Sequence, residues 1–419
     1  MTNAIRSPER VVRYPDSARI PLSVPSYDHL EAWEGIESIL TTWVAMGKKV
    51  KEFERRFGEY LRSPHCTMVH SGSSANLLAL SVLSNPLAKN RINPGDEVIG
   101  PALTFATAVY PIIQVGATPV LVDVDLSSLN IDVDEIEKAI TPRTRAIMPV
   151  HLLGNPCAIE PIIEIARRHK LLVLEDVCDS SGAEVNGRKA GTFGDLGTYS
   201  FFFTHIISTI EGGMVVANNP DYADLCTALR AFGWVRDARN KDELIAQYSV
   251  SEKYKDIDSR FLFTNIGYNF KPTEVQGAFG IHQTGKLDGF VEIRRANAAF
   301  WTEWLSRYGD YIHVLSEAPN TKSAWYGYPV IVKPGAPFTR KALMDFLSTR
   351  GVETRPILSG NLAQQPVMEL FDHREAGALP NARLAHQHGF FFGNHQAIGQ
   401  AERQAVIAAF DEFMTEHGR

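Results

Sequence analysis

Leu171-Leu-Val-Leu-Glu175-Asp176 is the stretch whose reading settles the fold class. Four consecutive apolar residues closed by two carboxylates make the pattern of a strand buried on both faces, with its last residues emerging at the rim of a sheet. Runs of the same kind recur around it: Glu97-Val-Ile-Gly100, Thr118-Pro-Val-Leu-Val-Asp123 and Ala146-Ile-Met-Pro-Val150 before it, and Met214-Val-Val-Ala217 after it. Stretches with helical apolar spacing lie between them, among them 75–83 and 158–169. Strand–helix alternation predicts an α/β fold, a mostly parallel central sheet with helices on both faces.

Outward from that core the pattern changes. Residues 1–25 carry several prolines and little periodicity and read as an extended arm. From Tyr27 to Leu61 the spacing is helical, as in Val50-Lys-Glu-Phe53-Glu-Arg-Arg-Phe57-Gly-Glu-Tyr60-Leu61. Beyond Asp288 a long helical stretch over 290–308 precedes an exposed-strand pattern at Trp325-Tyr-Gly-Tyr-Pro-Val-Ile-Val332 and helices near 340–350 and 400–416. The organisation expected is therefore an arm (1–25), a large α/β domain (26–288) and a small C-terminal α+β domain (289–419). The charged stretch 236–258 reads equally as a mobile surface insertion or a solvated helix.

With 419 residues, 44% hydrophobic and 21% charged, the chain has the balance of a soluble globular protein able to bury a sizeable core. A formal net charge of -6 argues against a general nucleic-acid or anionic-membrane binder. Cys66, Cys157, Cys178 and Cys226 are scattered without a CxxC pair, so neither a disulfide framework nor a cysteine-bound metal is expected. No apolar run approaches the roughly 18 residues of a membrane span. The first residues lack the apolar centre of a signal peptide, and a cytoplasmic chain is expected.

Ser71-Gly72-Ser73-Ser74-Ala75-Asn76 follows one strand signal and opens a helix. Small residues let backbone N–H groups approach an anion at a helix N-terminus, which makes a phosphate cradle; the same letters also serve as a plain helix cap. Asp176, at the carboxyl end of its strand, is placed where open α/β sheets bind ligands, to hold a ring nitrogen protonated or, alternatively, to cap a helix or bind magnesium. Phe105 is suited to stacking on a ring or to the core. Ser200 offers a hydroxyl to a phosphate. His205, in Ser200-Phe-Phe-Phe-Thr-His205-Ile-Ile-Ser-Thr-Ile-Glu211-Gly-Gly213, brings an imidazole suited to proton transfer near neutral pH.

The order of these pieces, with Gly95-Asp96-Glu97-Val-Ile, Gly191-Thr-Phe-Gly194-Asp-Leu-Gly-Thr-Tyr-Ser200, Glu211-Gly-Gly213 and Gly267-Tyr-Asn269, resembles the sugar aminotransferases of fold type I over roughly residues 20 to 415. The resemblance implies an aspartate-aminotransferase-like fold and pyridoxal phosphate as cofactor. That family keeps a cofactor-binding lysine six residues before the Glu of Glu-Gly-Gly, the position of His205. An imidazole cannot make that covalent link, and the likeness narrows to the sugar 3-dehydratase branch. It also rests on Ser128-Leu-Asn-Ile-Asp132, Leu152-Leu-Gly-Asn-Pro156, Arg230-Ala-Phe-Gly-Trp234, Arg355-Pro-Ile357 and Gly393-Asn-His395-Gln396. The CDP-sugar members carry an iron–sulfur cluster on clustered cysteines, which this chain lacks.

Carried over by position, the resemblance implies Gly72, Ser73 and Ser200 on the cofactor phosphate, Phe105 on the ring face, Asp176 on the ring nitrogen and His205 as the catalytic acid–base. It implies that Asn269 reaches the phosphate in a neighbouring subunit, hence a homodimer. His151, Arg355 and His395 are polar candidates for the sugar pocket. Ile206 and Phe232 stand where that branch has histidines. The reaction implied is loss of the C3 hydroxyl from a nucleotide-linked 4-keto-6-deoxyhexose. Pyridoxamine phosphate would be loaded by L-glutamate, and the amine would be lost as ammonia. Competing readings are a true sugar aminotransferase or another lysine-free pyridoxal enzyme, and a non-catalytic sugar-nucleotide binder.

Overall fold

The computed structural model describes residues 19–238 and 241–418, without the side chain of Asp237. Most of the arm expected over 1–25 lies outside these residues. Ile20 is described; it pairs in parallel with Val352 and is fully buried.

The principal sheet contains β1 (Cys66–Val69), β2 (Glu97–Pro101), β3 (Thr118–Val122), β4 (Thr144–Ile147), β5 (Leu172–Asp176), β6 (Leu196–Ser200) and β7 (Gly213–Ala217). A smaller sheet uses β8 (Ile312–Val314), β9 (Gly327–Val332), β10 (Thr354–Pro356) and β12 (Gly389–Gly393), while the short β11 (Arg374–Glu375) returns to the principal sheet. The eight-stranded order is β1-β7-β6-β5-β4-β2-β3-β11. Only β7 runs against the others, pairing antiparallel with both β1 and β6. The remaining neighbours pair in parallel, as the alternation predicts. Every residue of β5 is buried, which explains why its sequence is apolar without alternation until the carboxylates at its end.

Five helices matter for the site: α1 (His29–Leu40), α2 (Lys48–Leu61), α3 (Gly72–Leu83), α4 (Glu274–Gln283) and α5 (Leu287–Leu305). The helical spacing read over Tyr27–Leu61 is thus two helices. The first begins at a capping box in which Asp28 accepts from the first turn and Glu31 reaches back. α1 packs on α4, yet Leu30, Trp33, Ile39 and Leu40 face outward. α5 buries Leu287, Val291, Arg294, Ala298, Trp301 and Leu305 along one stripe, an apolar face that includes an arginine.

Two details differ from expectation. The exposed-strand pattern at Trp325–Val332 becomes β9, buried at every residue between β8 and β12. Its alternating Tyr residues look solvent-facing in sequence, but the Tyr328 hydroxyl finds Thr302 Oγ1 2.8 Å away inside the fold. The edge of the principal sheet also comes from far along the chain. Arg374 of β11 donates 2.9 Å to the fully buried Glu97 of β2, tying the C-terminal segment to the large sheet. The charged stretch 236–258 contains a helix over Lys241–Ser249 with no buried residue. Among the described residues no helix is long and apolar enough to cross a membrane.

Candidate active site

The carboxyl ends of β5 and β6 and the first turn of α3 meet around a cavity of about 470 Å³. Of the residues expected from sequence, it gathers Gly72, Ser73, Phe105, Asp176, Ser200 and His205. Ser71 is the extended N-cap of α3, and its hydroxyl accepts from Ser74 N–H at 3.1 Å. The preceding N–H groups, those of Gly72 and Ser73, have no partner within a helix turn and remain for an incoming anion. Glycine is required at 72: a Cβ there would lie 2.4 Å from Ser200 Cβ and 2.7 Å from its hydroxyl oxygen. Gly213 is equally constrained, since its Cβ would lie 2.3 Å from the Ser71 carbonyl oxygen. The Glu211-Gly-Gly turn therefore seats β7 directly against the cradle.

Asp176 is held on both oxygens. Asn76 Nδ2 donates to Oδ2 at 2.8 Å and the Cys178 N–H donates to Oδ1 at 3.0 Å. Asn76 is itself fixed, because Thr198 on the adjacent β6 donates to its Oδ1 at 2.6 Å. Both donors fix the carboxylate at the carboxyl end of β5, facing the cavity. Phe105 lines the cavity and is 53% exposed, so it is not a core residue.

His205 lines the same cavity. Its backbone N–H donates to Phe202, and its ring packs against Tyr326 with centroids 5.3 Å apart. Nδ1 is enclosed without a hydrogen-bond partner and is 3.8 Å from Asp179 Oδ1. Burial, reinforced by the Arg294 guanidinium, pushes the imidazole down to about 4, so it stands as a free base at neutral pH. Arg294 is itself buried and donates to the main-chain carbonyls of Tyr326, at 3.1 Å, and Asn394. The loop beyond His205 carries Ile210 at φ 72, a left-handed conformation costly for a β-branched residue and found where a site is tightly determined.

The other expected site residues lie elsewhere. His151 is fully buried beneath the cavity. The Cys157 N–H donates to its Nδ1 at 2.9 Å, which leaves Nε2–H for Glu175 at 3.2 Å. Glu175 also accepts from the N–H groups of Gly191, Phe193 and Gly194. This is a structural brace. Arg355 is exposed on β10 and pairs with Glu353 at 2.7 Å. His395 is 3% exposed, near Arg294 and the Pro21 backbone, and is not among the residues that line the cavity. Asn269 is exposed and accepts from Lys271 at 2.6 Å; within one chain it does not line the cavity.

Sequence reasoning passed over Asn76, Asp179, Arg294 and Tyr326. Arg294 had a signal, a cation on the apolar stripe of a helix. Tyr326 was hidden by the misread strand.

A family model described as the DegT/DnrJ/EryC1/StrS aminotransferase family matches residues 28–411. A relative from Yersinia pseudotuberculosis named GDP-4-keto-6-deoxy-D-mannose 3-dehydratase is 39% identical over 378 residues, 90% of this chain and 94% of that one. A GDP-perosamine synthase of Caulobacter vibrioides is 33% identical, covering 95% of this chain and 99% of its own. Among solved structures, a GDP-4-keto-6-deoxymannose-3-dehydratase with a trapped PLP-glutamate geminal diamine superposes with a TM-score of 0.86 at 34% identity, covering 93% of this chain and 99% of that chain.

Proposed function

From the premise that this chain belongs to the DegT/DnrJ/EryC1/StrS aminotransferase family, we propose that it is a nucleotide-sugar 3-dehydratase. It would remove the C3 hydroxyl of a nucleotide-linked 4-keto-6-deoxyhexose. Pyridoxal phosphate is the cofactor, as in the structural relatives solved with it. The residues present suit that group: a cradle with no room for a Cβ, a braced carboxylate at the carboxyl end of β5 and an aromatic ring at the mouth.

The observation that carries the reading is the identity of the base. No lysine is among the side chains lining the cavity of the described residues, and the nitrogen base there is His205. Gly72 and Ser73 N–H groups and the Ser200 hydroxyl would hold the phosphate, Phe105 the ring face and Asp176 the ring nitrogen. When bound, the cofactor supplies an electron sink that acidifies a neighbouring C–H bond and lets a nearby hydroxyl depart. His205 takes up the proton of that bond. Buried as it is, it does so without competition from bulk water. Lacking a primary amine, it cannot recapture the cofactor covalently, so the nitrogen brought by L-glutamate would leave with the sugar and end as ammonia. The GDP-sugar relatives favour a GDP-linked substrate.

Asn269, and the apolar residues Trp33, Ile39 and Leu40 left outward on α1, suit a homodimer in which a second copy completes each cavity. The named amine-retaining relative supports one alternative, amination of the same kind of sugar.

Mass spectrometry of the protein incubated with pyridoxal phosphate, L-glutamate and GDP-4-keto-6-deoxymannose tests the proposal. Loss of one oxygen from the sugar, with 2-oxoglutarate and ammonia released, is expected. A stable aminosugar would establish the alternative instead.

A further inference from the structure

Asp179 sits on the loop leaving β5, and the function proposed above gives it no task. Its side chain is 13% exposed and lines the cavity beside His205, whose side chain is 14% exposed. The two approach through Oδ1 and the enclosed Nδ1, 3.8 Å apart. A side-chain shift of about 1 Å would bring them to hydrogen-bond distance.

The groups around the pair come from every side. Asp176 at the end of β5 and the Cys178 thiol on the loop after it line the same cavity. Arg294 reaches in from α5. The Tyr326 phenol, 3.2 Å from Thr204, faces both. The Leu153 backbone N–H faces the Asp179 carboxyl and favours its ionised form. A charged imidazolium would have to lie near the Arg294 cation, and a charged Asp179 near the Asp176 anion. Both neighbours therefore favour the neutral acid and neutral base over an ion pair, and burial acts in the same direction. Burial and the Asp176 charge push the Asp179 carboxyl up to about 7, against the opposing Leu153 N–H, while His205 is held down to about 4. The usual order of the two acidities is inverted.

Building on the dehydratase reading, we propose that Asp179 and His205 form one acid–base unit whose resting proton sits on the Asp179 carboxyl. His205 then acts as a free base, and Asp179 supplies the proton with which the C3 hydroxyl leaves as water. One C–H bond breaks, and its proton goes to His205. The C–O bond at C3 breaks, its electron pair leaves with the oxygen, and that oxygen takes the Asp179 proton. The electron pair of the C–H bond stays in the conjugated product, so no oxidant or reductant is needed. The unit is left as imidazolium and carboxylate with its proton count unchanged, and it returns to rest when His205 hands a proton back. Asp179 keeps its acid form below its own midpoint and His205 its base form above its own, so the working state spans the interval between them.

The test begins with the cofactor-free protein carrying 13C-labelled aspartate and 15N-labelled histidine, followed by NMR across pH 4 to 9. Signals are assigned from Asp179→Asn and His205→Gln. The carboxyl resonance missing in Asp179→Asn should titrate with a midpoint close to neutrality, while His205 stays a neutral imidazole down to about pH 5. In the loaded enzyme Asp179→Asn should lose about 100-fold in kcat with KM within about threefold, and should lose the alkaline limb of the kcat profile. Asp179→Glu should recover at least about tenfold of that loss. An imidazolium at His205 above pH 6 beside an ionised Asp179 would overturn the proposal, as would Asp179→Asn turning over within about threefold of the unaltered protein. Titration as expected in a protein that eliminates no water would uphold the placement of the proton and overturn the dehydratase reading with the donor role.

Discussion

Asp176 ends β5 and Asp179 stands three residues on, in the loop that follows; both border the same cavity, yet their surroundings are opposite. Asp176 belongs to the cradle side, where Asn76 and Thr198 form one chain of hydrogen bonds and Ser71 and Ser74 another. Asp179 belongs to the His205 side, where Nδ1 of His205 and Nε of Arg294 are buried without partners. A group that must stay charged and fixed is surrounded by donors. A group that must gain or lose a proton is left under-satisfied, so that its two forms are close in free energy.

The sharpest way to break this contrast is to restore a primary amine on the unsatisfied side. His205→Lys should abolish 3-dehydration, a loss of at least about 100-fold, and yield slow formation of an aminosugar, seen by product mass spectrometry. Dehydration at the normal rate in that variant would remove His205 from the chemistry. On the satisfied side, Gly72→Ala drives a methyl into Ser200 and should cost about 1–3 kcal/mol of stability in denaturant titration. Its affinity for pyridoxal phosphate should fall as well, read by equilibrium dialysis. The smallest effect is a gain. The native Asp179 carboxyl is raised above its unfolded value, so its stability contribution is full below about pH 4 and is lost as pH rises through about 7. Asp179→Asn should therefore melt roughly 2–4 °C higher than the unaltered protein at pH 8.5, and no higher at pH 4. A variant equally destabilised at both would mean that Asp179 is a structural brace.

Much of this architecture was legible in the sequence because it depends on local pattern. β5 announces itself by a run buried on both faces, and α3 by the small residues before it. The register by which β11 joins β3, and the burial of Gly327–Val332, depend on contacts between segments far apart in the chain; periodicity carries no record of them. The cradle, Asp176 and His205 could be found from motif order. His151 could not be told from a pocket residue, because only the fold reveals that Glu175 and the Cys157 N–H occupy both its nitrogens. Asp179 escaped for the converse reason: its significance lies in what it fails to contact.

The histidine at position 205 has one more consequence, for supply rather than for chemistry. A cofactor tethered by an amine is a permanent part of its enzyme, whereas one held by N–H groups, a hydroxyl and a carboxylate is a ligand governed by mass action. Its occupancy falls to one half when its free concentration equals Kd, and the stability it lends grows only as the logarithm of that concentration. The output of this protein would then follow the free pool of pyridoxal phosphate and its aminated form, and would fade reversibly on dilution or dialysis.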